Sequence, residues 1–159
     1  MGSPTCEDEG TLAYTTYDGD EDDPDTDGLE KTHFCETAYS SKSFDEVISD
    51  CAALDAYPSE KMDTFSRVVL HEMTHYSSVG DLVDGGEIKD VTMDDGERAY
   101  DPQRAHALID ASQGNFFNPA VTEINADNYA WMALDALVSR LCAGPDDGDD
   151  FFTENPPSL

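Results

Sequence analysis

Two histidines four residues apart with an acid between them, His71-Glu72-Met73-Thr74-His75, are the residues of this chain best suited to chemistry. On a helix, positions four apart lie one turn above each other on one face, so both imidazoles can reach a single ion. Neutral imidazole nitrogen suits Zn²⁺ at ~2.0–2.1 Å, and two helical ligands leave room for a third ligand and a water, the open arrangement of catalytic rather than structural zinc. Glu72, beside the first histidine, can take a proton from an attacking water and pass it to a leaving amine. The same pattern would arise by chance in about 0.7% of shuffled chains of this composition. That frequency favours one zinc ion and metal-assisted hydrolysis over two ordinary histidines beside a solvent-facing glutamate.

A third ligand must come from elsewhere, and an acidic chain offers many. Glu123-Ile124-Asn125-Ala126-Asp127 has the ExxxD spacing of thermolysin-type and neprilysin-type peptidases, in which Glu123 would bind zinc and Asp127 would orient the first histidine. A wider set of motifs competes with that reading. Val69-Leu70-His71-Glu72-Met73-Thr74-His75, then Asn125-Ala126-Asp127-Asn128-Tyr129-Ala130, then Cys142, resembles the fungal deuterolysin and peptidyl-Lys metalloendopeptidase group, the aspzincins, over roughly residues 60–142. The resemblance implies a zincin-like fold and peptide-bond hydrolysis. It also implies an aspartate ligand in the loop after HExxH, within a Gly-Thr…Asp…Tyr-Gly motif, and gives Asp127 a supporting role behind a zinc-bound imidazole. An acceptor there fixes the ring's tautomer and strengthens it as a ligand.

This chain has no Gly-Thr in that loop, and Ala99-Tyr100-Asp101-Pro102 stands where Tyr-Gly is expected. Asp90, in Ile88-Lys89-Asp90-Val91, is the preferred loop ligand: its fifteen-residue separation from His75 permits a turn back to the metal, and its apolar flanks imply an anchored segment. Asp94, Asp95, Glu97 and Glu123 are the alternatives. The departure from the motif makes a secreted zinc-binding protein without turnover the second functional reading. Tyr100 and Tyr129 are the phenols nearest these motifs and candidates to stabilise an oxyanion, although packing of the ring is the expected role of each. Trp131, His33 and His106 are read as ordinary core or surface residues.

The elements that must position these groups are mainly helical. Ser59 can cap a helix through Met62, Phe65, Val68, Val69 and Met73, ending near Gly80. Asp101-Pro102 opens a short helix carrying Ala105, Leu108 and Ile109. The longest helix is predicted from about Val121 to Cys142, with Tyr129, Met132, Ala133, Ala136, Leu137 and Leu141 at helical spacing, and Gly144-Pro145 closes it. The β-prone runs 11–17 and 32–35 predict a small antiparallel sheet joined by the acidic loop 18–30. The expectation is an α+β domain over residues 1–144, followed by a flexible acidic tail, 145–159, in which Phe151 and Phe152 are the residues able to dock.

Charge and cysteines bound the setting. With 36 acidic against 8 basic side chains in 159 residues, the formal charge is −28. Nucleic acid and anionic membranes are therefore excluded as partners. The expected partner is a peptide or protein substrate, with basic ones favoured by the negative field, and the expected state is a monomer. Cys6, Cys35, Cys51 and Cys142 contain no CxxC pair, so two disulfides in any of three connectivities are expected, and with them a secreted protein whose leader is not part of this sequence. Asp23-Pro24-Asp25-Thr26-Asp27-Gly28 matches half of a calcium loop, but Phe34 stands where the twelfth-position glutamate should be, so a solvated loop is expected.

Overall fold

The computed structural model describes residues 5–8, 10–18, 29–80, 88–109, 119–143 and 151–157. Most of the acidic loop and the calcium-like stretch 23–28 lie outside them. Strands β1 (Ala13–Asp18) and β2 (Leu29–Phe34) pair antiparallel, with Thr15 opposite Thr32 and Tyr14 opposite His33. Among the described residues six α-helices follow: α1 (Phe44–Ser49), α2 (Phe65–Thr74), α3 (Ser77–Gly80), α4 (Asp101–Ile109), α5 (Pro119–Thr122) and α6 (Ala126–Cys142). The arrangement is the mainly helical α+β one expected, with α2 packed on α6, β1 against α2, and α4 against α5 and α6.

The predicted helix from Ser59 is broken. Ser59 caps only a 3₁₀ turn at Glu60–Met62, and Asp63 is extended. The Asp63 carboxylate accepts from the Thr64 amide and from the Arg67 guanidinium, a local alternative to helical hydrogen bonding. Thr64 then caps α2 by accepting from the Arg67 amide at 3.3 Å. The predicted long helix is also shortened. Residues 123–125 form a turn, because Lys89 donates to the Ile124 carbonyl at 2.8 Å and accepts from the Ala126 amide at 3.1 Å, so a parallel bridge to a distant segment replaces one helical turn.

The buried faces differ from the predicted apolar stripes. On α2, Met73 is half exposed while His71, Glu72 and Thr74 join Val68 inside. On α6, Met132, Leu137 and Leu141 face outwards, and the buried side is Ala126, Asp127, Ala130, Trp131, Leu134 and Val138. Helix α6 carries two apolar stripes, and the interior received the one that also holds an aspartate.

Two apolar clusters frame that interior. Trp131, Leu134 and Val138 of α6 pack with Val47, Met62 and Ala105, whereas Ala107 and Leu108 of α4 pack with Val91, Met93 and Ala99. The disulfides are Cys6–Cys35 and Cys51–Cys142, the second tying the end of α6 to the turn after α1. Phe152, one of the two tail residues able to dock, packs on the first cluster, and the Thr153 and Glu154 amides donate to the Ala56 carbonyl. No helix of the described residues is long and apolar enough to cross a membrane.

Candidate metal centre

Helix α2 ends at Thr74, yet His75 keeps helical backbone angles (φ −74°, ψ −12°), so the one-turn relation between His71 and His75 survives. Their Nε2 atoms are 3.4 Å apart. Asp90 meets them from the segment after residue 88, its Oδ1 lying 3.1 Å from His71 Nε2 and 3.4 Å from His75 Nε2. A tetrahedral ion with bonds of ~2.0–2.1 Å separates its ligand atoms by about 3.3–3.4 Å. Two edges of the triangle, at 3.4 Å, match that separation, and the third, at 3.1 Å, is slightly shorter. Oδ1 is moreover buried without any aligned hydrogen bond, an unmet requirement that a cation would satisfy. His71, His75 and Asp90 thus form a group able to hold a metal ion, and among the described residues it is the group that does so.

The outward nitrogen of each ring is fixed. His71 Nδ1 donates to Asp127 Oδ1 at 2.6 Å, and His75 Nδ1 donates to the Ile88 carbonyl at 3.1 Å, which leaves both Nε2 atoms for the ion. Asp127 is fully buried and fully engaged. Its Oδ1 also accepts from Arg67 at 3.0 Å, and its Oδ2 accepts from the Asp101 amide at 3.0 Å and from Trp131 at 3.1 Å. The Arg67 guanidinium in turn lies 4.8 Å from the centre of the Trp131 ring and pairs with Asp63.

Asp90 depends on a second buried side chain. Asn125, with no exposed surface, accepts from the Val91 amide at 3.2 Å and donates to the Ala99 carbonyl at 3.2 Å. It thereby fastens both limbs of the 91–99 turn, beside Asp90 on one and Tyr100 on the other. Arg98 adds a bond to the Asp90 carbonyl at 2.7 Å.

Electrostatics follow from this packing. Burial disfavours a charged His71, but Asp127 and Asp90 outweigh it and push the ring up to about 9. His75 moves the same way: burial opposes the charge and Asp90 prevails. Burial alone would raise the Asp90 carboxyl, yet the two rings hold it well below the usual carboxylate range. The Tyr100 ring stands edge-on to His71 at 5.6 Å, and burial together with the Asp90 charge pushes its phenol upwards. Glu72 is buried and accepts from Thr15 at 2.7 Å through Oε2.

The alternative ligands lie apart from this group. Glu123 is in the exposed turn before α6, Asp95 pairs with Arg104 at 2.8 Å, and Asp94 and Glu97 are exposed. Tyr129 donates to the Glu123 carbonyl at 2.6 Å, and its packing is local. His33 stacks on Tyr14, and Trp131 is core. Arg67 and Thr15 belong to no motif of the sequence, and Asn125 enters only as the first residue of Asn125-Ala126-Asp127. Arg67 did carry a signal, standing four residues before His71 on the same helix. No protein-family model, curated protein or solved structure matches this chain.

Proposed function

We propose that this chain is a secreted zinc metalloendopeptidase of the aspzincin type. The observation that carries the reading is the buried Asp90 Oδ1, with no aligned hydrogen bond, facing two imidazole Nε2 atoms. Two imidazoles and one carboxylate are the donors of a catalytic zinc site with an open position. Bound there, zinc supplies Lewis acidity towards a carbonyl oxygen and towards water.

The chain's own residues supply the remainder. Glu72 takes the proton of the attacking water and delivers it to the leaving amine. His71, His75 and Asp90 hold the ion, and Asp127, backed by Arg67, keeps His71 in the tautomer that offers Nε2. Tyr100, beside His71 and with its hydroxyl drawn to the Asp90 carboxylate, is the phenol that would turn to donate to a developing oxyanion. The departure from Tyr-Gly has a backbone counterpart that favours the family reading. Asp101, in the glycine position, has φ 70°, a left-handed conformation that glycine adopts without cost and aspartate tolerates. Two disulfides accord with an oxidising compartment. A charge of −28 favours basic peptide segments as substrates of a monomeric enzyme.

Elemental analysis of the purified chain, combined with a broad peptide cleavage profile, tests the proposal. The expected result is about one zinc per chain and cleavage that stops on chelation. Stoichiometric zinc without cleavage of casein, protamine or lysine-containing peptides would make this a zinc-binding protein instead. Iron, which the same donors also suit, or no metal at all would overturn the zinc assignment.

A further inference from the structure

Glu72 lies on the buried face of α2, and the hydrogen bond that its carboxylate accepts comes from the β-hairpin rather than from its own helix. Thr15 of β1 donates to Oε2 at 2.7 Å. Thr15 and Thr32 face each other across the hairpin, with their hydroxyl oxygens 3.0 Å apart, and the Tyr76 hydroxyl lies 3.2 Å from that of Thr32. Each hydroxyl has one proton to give. Because the Thr15 proton goes to Glu72, Thr15 accepts from Thr32, and Thr32 accepts from Tyr76. The run therefore has one polarity, Tyr76 to Thr32 to Thr15 to Glu72, and bonds aligned in this way polarise one another.

This run constrains a flexible side chain. Proton transfer requires a carboxylate oxygen within ~2.6–3.2 Å of the proton's carrier. A glutamate with three rotatable bonds does not hold such a position unaided. Among the described residues the tether falls on Oε2, which leaves Oε1 for proton transfer.

We propose that Thr15, backed by Thr32 and Tyr76, is a positioning residue for Glu72, and that the hairpin's contribution to the site is to aim that carboxylate. The inference rests on the hydrolase reading above. A hydroxyl that merely satisfies a buried carboxylate would contribute to folding and leave turnover alone, so the two roles separate experimentally.

The test uses the full zinc-loaded chain with Thr15→Val, which keeps shape and strand preference but removes the hydroxyl, and Thr15→Ser, which restores it. Thr15→Val should retain wild-type zinc content, keep KM within about twofold and lose about 10–100-fold in kcat, the cost of a carboxylate displaced by up to an ångström. Thr15→Ser should recover kcat to within about threefold of wild type, and Thr32→Val should give a smaller loss of the same kind. An unchanged kcat in Thr15→Val, or a Thr15→Ser variant as slow as Thr15→Val, would overturn the proposal while wild-type cleavage upholds the hydrolase reading. A zinc-loaded wild type that cleaves nothing removes that reading and this inference with it. A readout without turnover accompanies these assays. Thr15→Val should lower the melting temperature of the wild-type chain by more than it lowers that of Glu72→Ala, and equal lowering would refute the contact.

Discussion

Zinc uptake by this chain should release protons, and its affinity should climb with pH to about 9. Without an ion, His71 is held up to about 9 because Asp127 and Asp90 outweigh its burial, and His75 is raised in the same sense. A coordinating imidazole must present a neutral nitrogen. At pH 7 the neutral form of a ring titrating near 9 is about 1% of the population, so uptake is weakened about 100-fold, or about 3 kcal/mol, relative to pH well above 9. Affinity should therefore rise by at least about tenfold per pH unit between 7 and 9, and more steeply wherever His75 is protonated too. Competition against a chelator of known protonation between pH 6 and 9 measures the slope, and calorimetry in buffers of different ionisation heat counts the protons released. The ion-free fold should respond in the opposite direction. A ring raised from 6.5 contributes stability below that pH and loses it as pH rises through about 9, a change of about 3 kcal/mol. An affinity that is flat from pH 7 to 9, or uptake at pH 7 without proton release, would refute this account of the site.

Glu72→Gln should bind zinc as wild type does while kcat falls by ~10²–10⁴, whereas His75→Ala should lose metal and activity together; equal metal loss in both would contradict the division of roles. Asp90→Ala should weaken zinc binding by more than the ~10–100-fold expected for an outer partner, with Asp95→Ala and Glu123→Ala unchanged, as read by chelator competition; dependence on Glu123 alone would transfer the site to the thermolysin-like arrangement. Asn125→Leu frees the turn that carries Asp90 and should cost about 10–100-fold in zinc affinity, with no further loss in an Asp90→Ala background. Replacing Cys51 and Cys142 by serine opens a loop with a sequence separation of 91 and should cost about 4–5 kcal/mol in denaturant unfolding, against about 3–4 kcal/mol for Cys6 and Cys35.

How far the sequence reveals this site depends on the range of each interaction. His71, Glu72 and His75 are legible because a helix converts a four-residue spacing into a shared face without help from the rest of the fold. Asp90 is legible only as one candidate among several acids, since what selects it is a bridge between Lys89 and Asn125 that no local pattern encodes. The hairpin could be read from its β-prone runs, yet the contact of Thr15 with Glu72 spans 57 positions and has no periodic signature. The stripe errors on α2 and α6 share one cause. Hydrophobic spacing marks a core face when the core is apolar, and here both helices turn polar side chains inwards to build a site, so His71, Glu72 and Asp127 displaced Met73, Met132 and Leu137 from the interior.

The two halves of the site differ in what they need from an ion. His71 is held without one: Asp127 joins it to Arg67 of its own helix, to Trp131 of α6 and to the start of α4, and all these bonds form within the polypeptide. That network is also where α2, α4 and α6 meet, so orienting the imidazole and joining the helices are one structural task. Asp90 is in the opposite position. Its backbone is fastened by Arg98 and by Asn125 through Val91, yet its buried Oδ1 faces only the two imidazole Nε2 atoms, which can donate to it only when protonated. A buried carboxylate oxygen without a partner is costly. Two charged imidazoles offset that cost only while they remain protonated, whereas a divalent cation offsets it at any pH where the rings are neutral. The helical half is thus preorganised by the fold, and the loop half is the one a cation would complete, so metal binding would be linked to folding most strongly through the segment that carries Asp90.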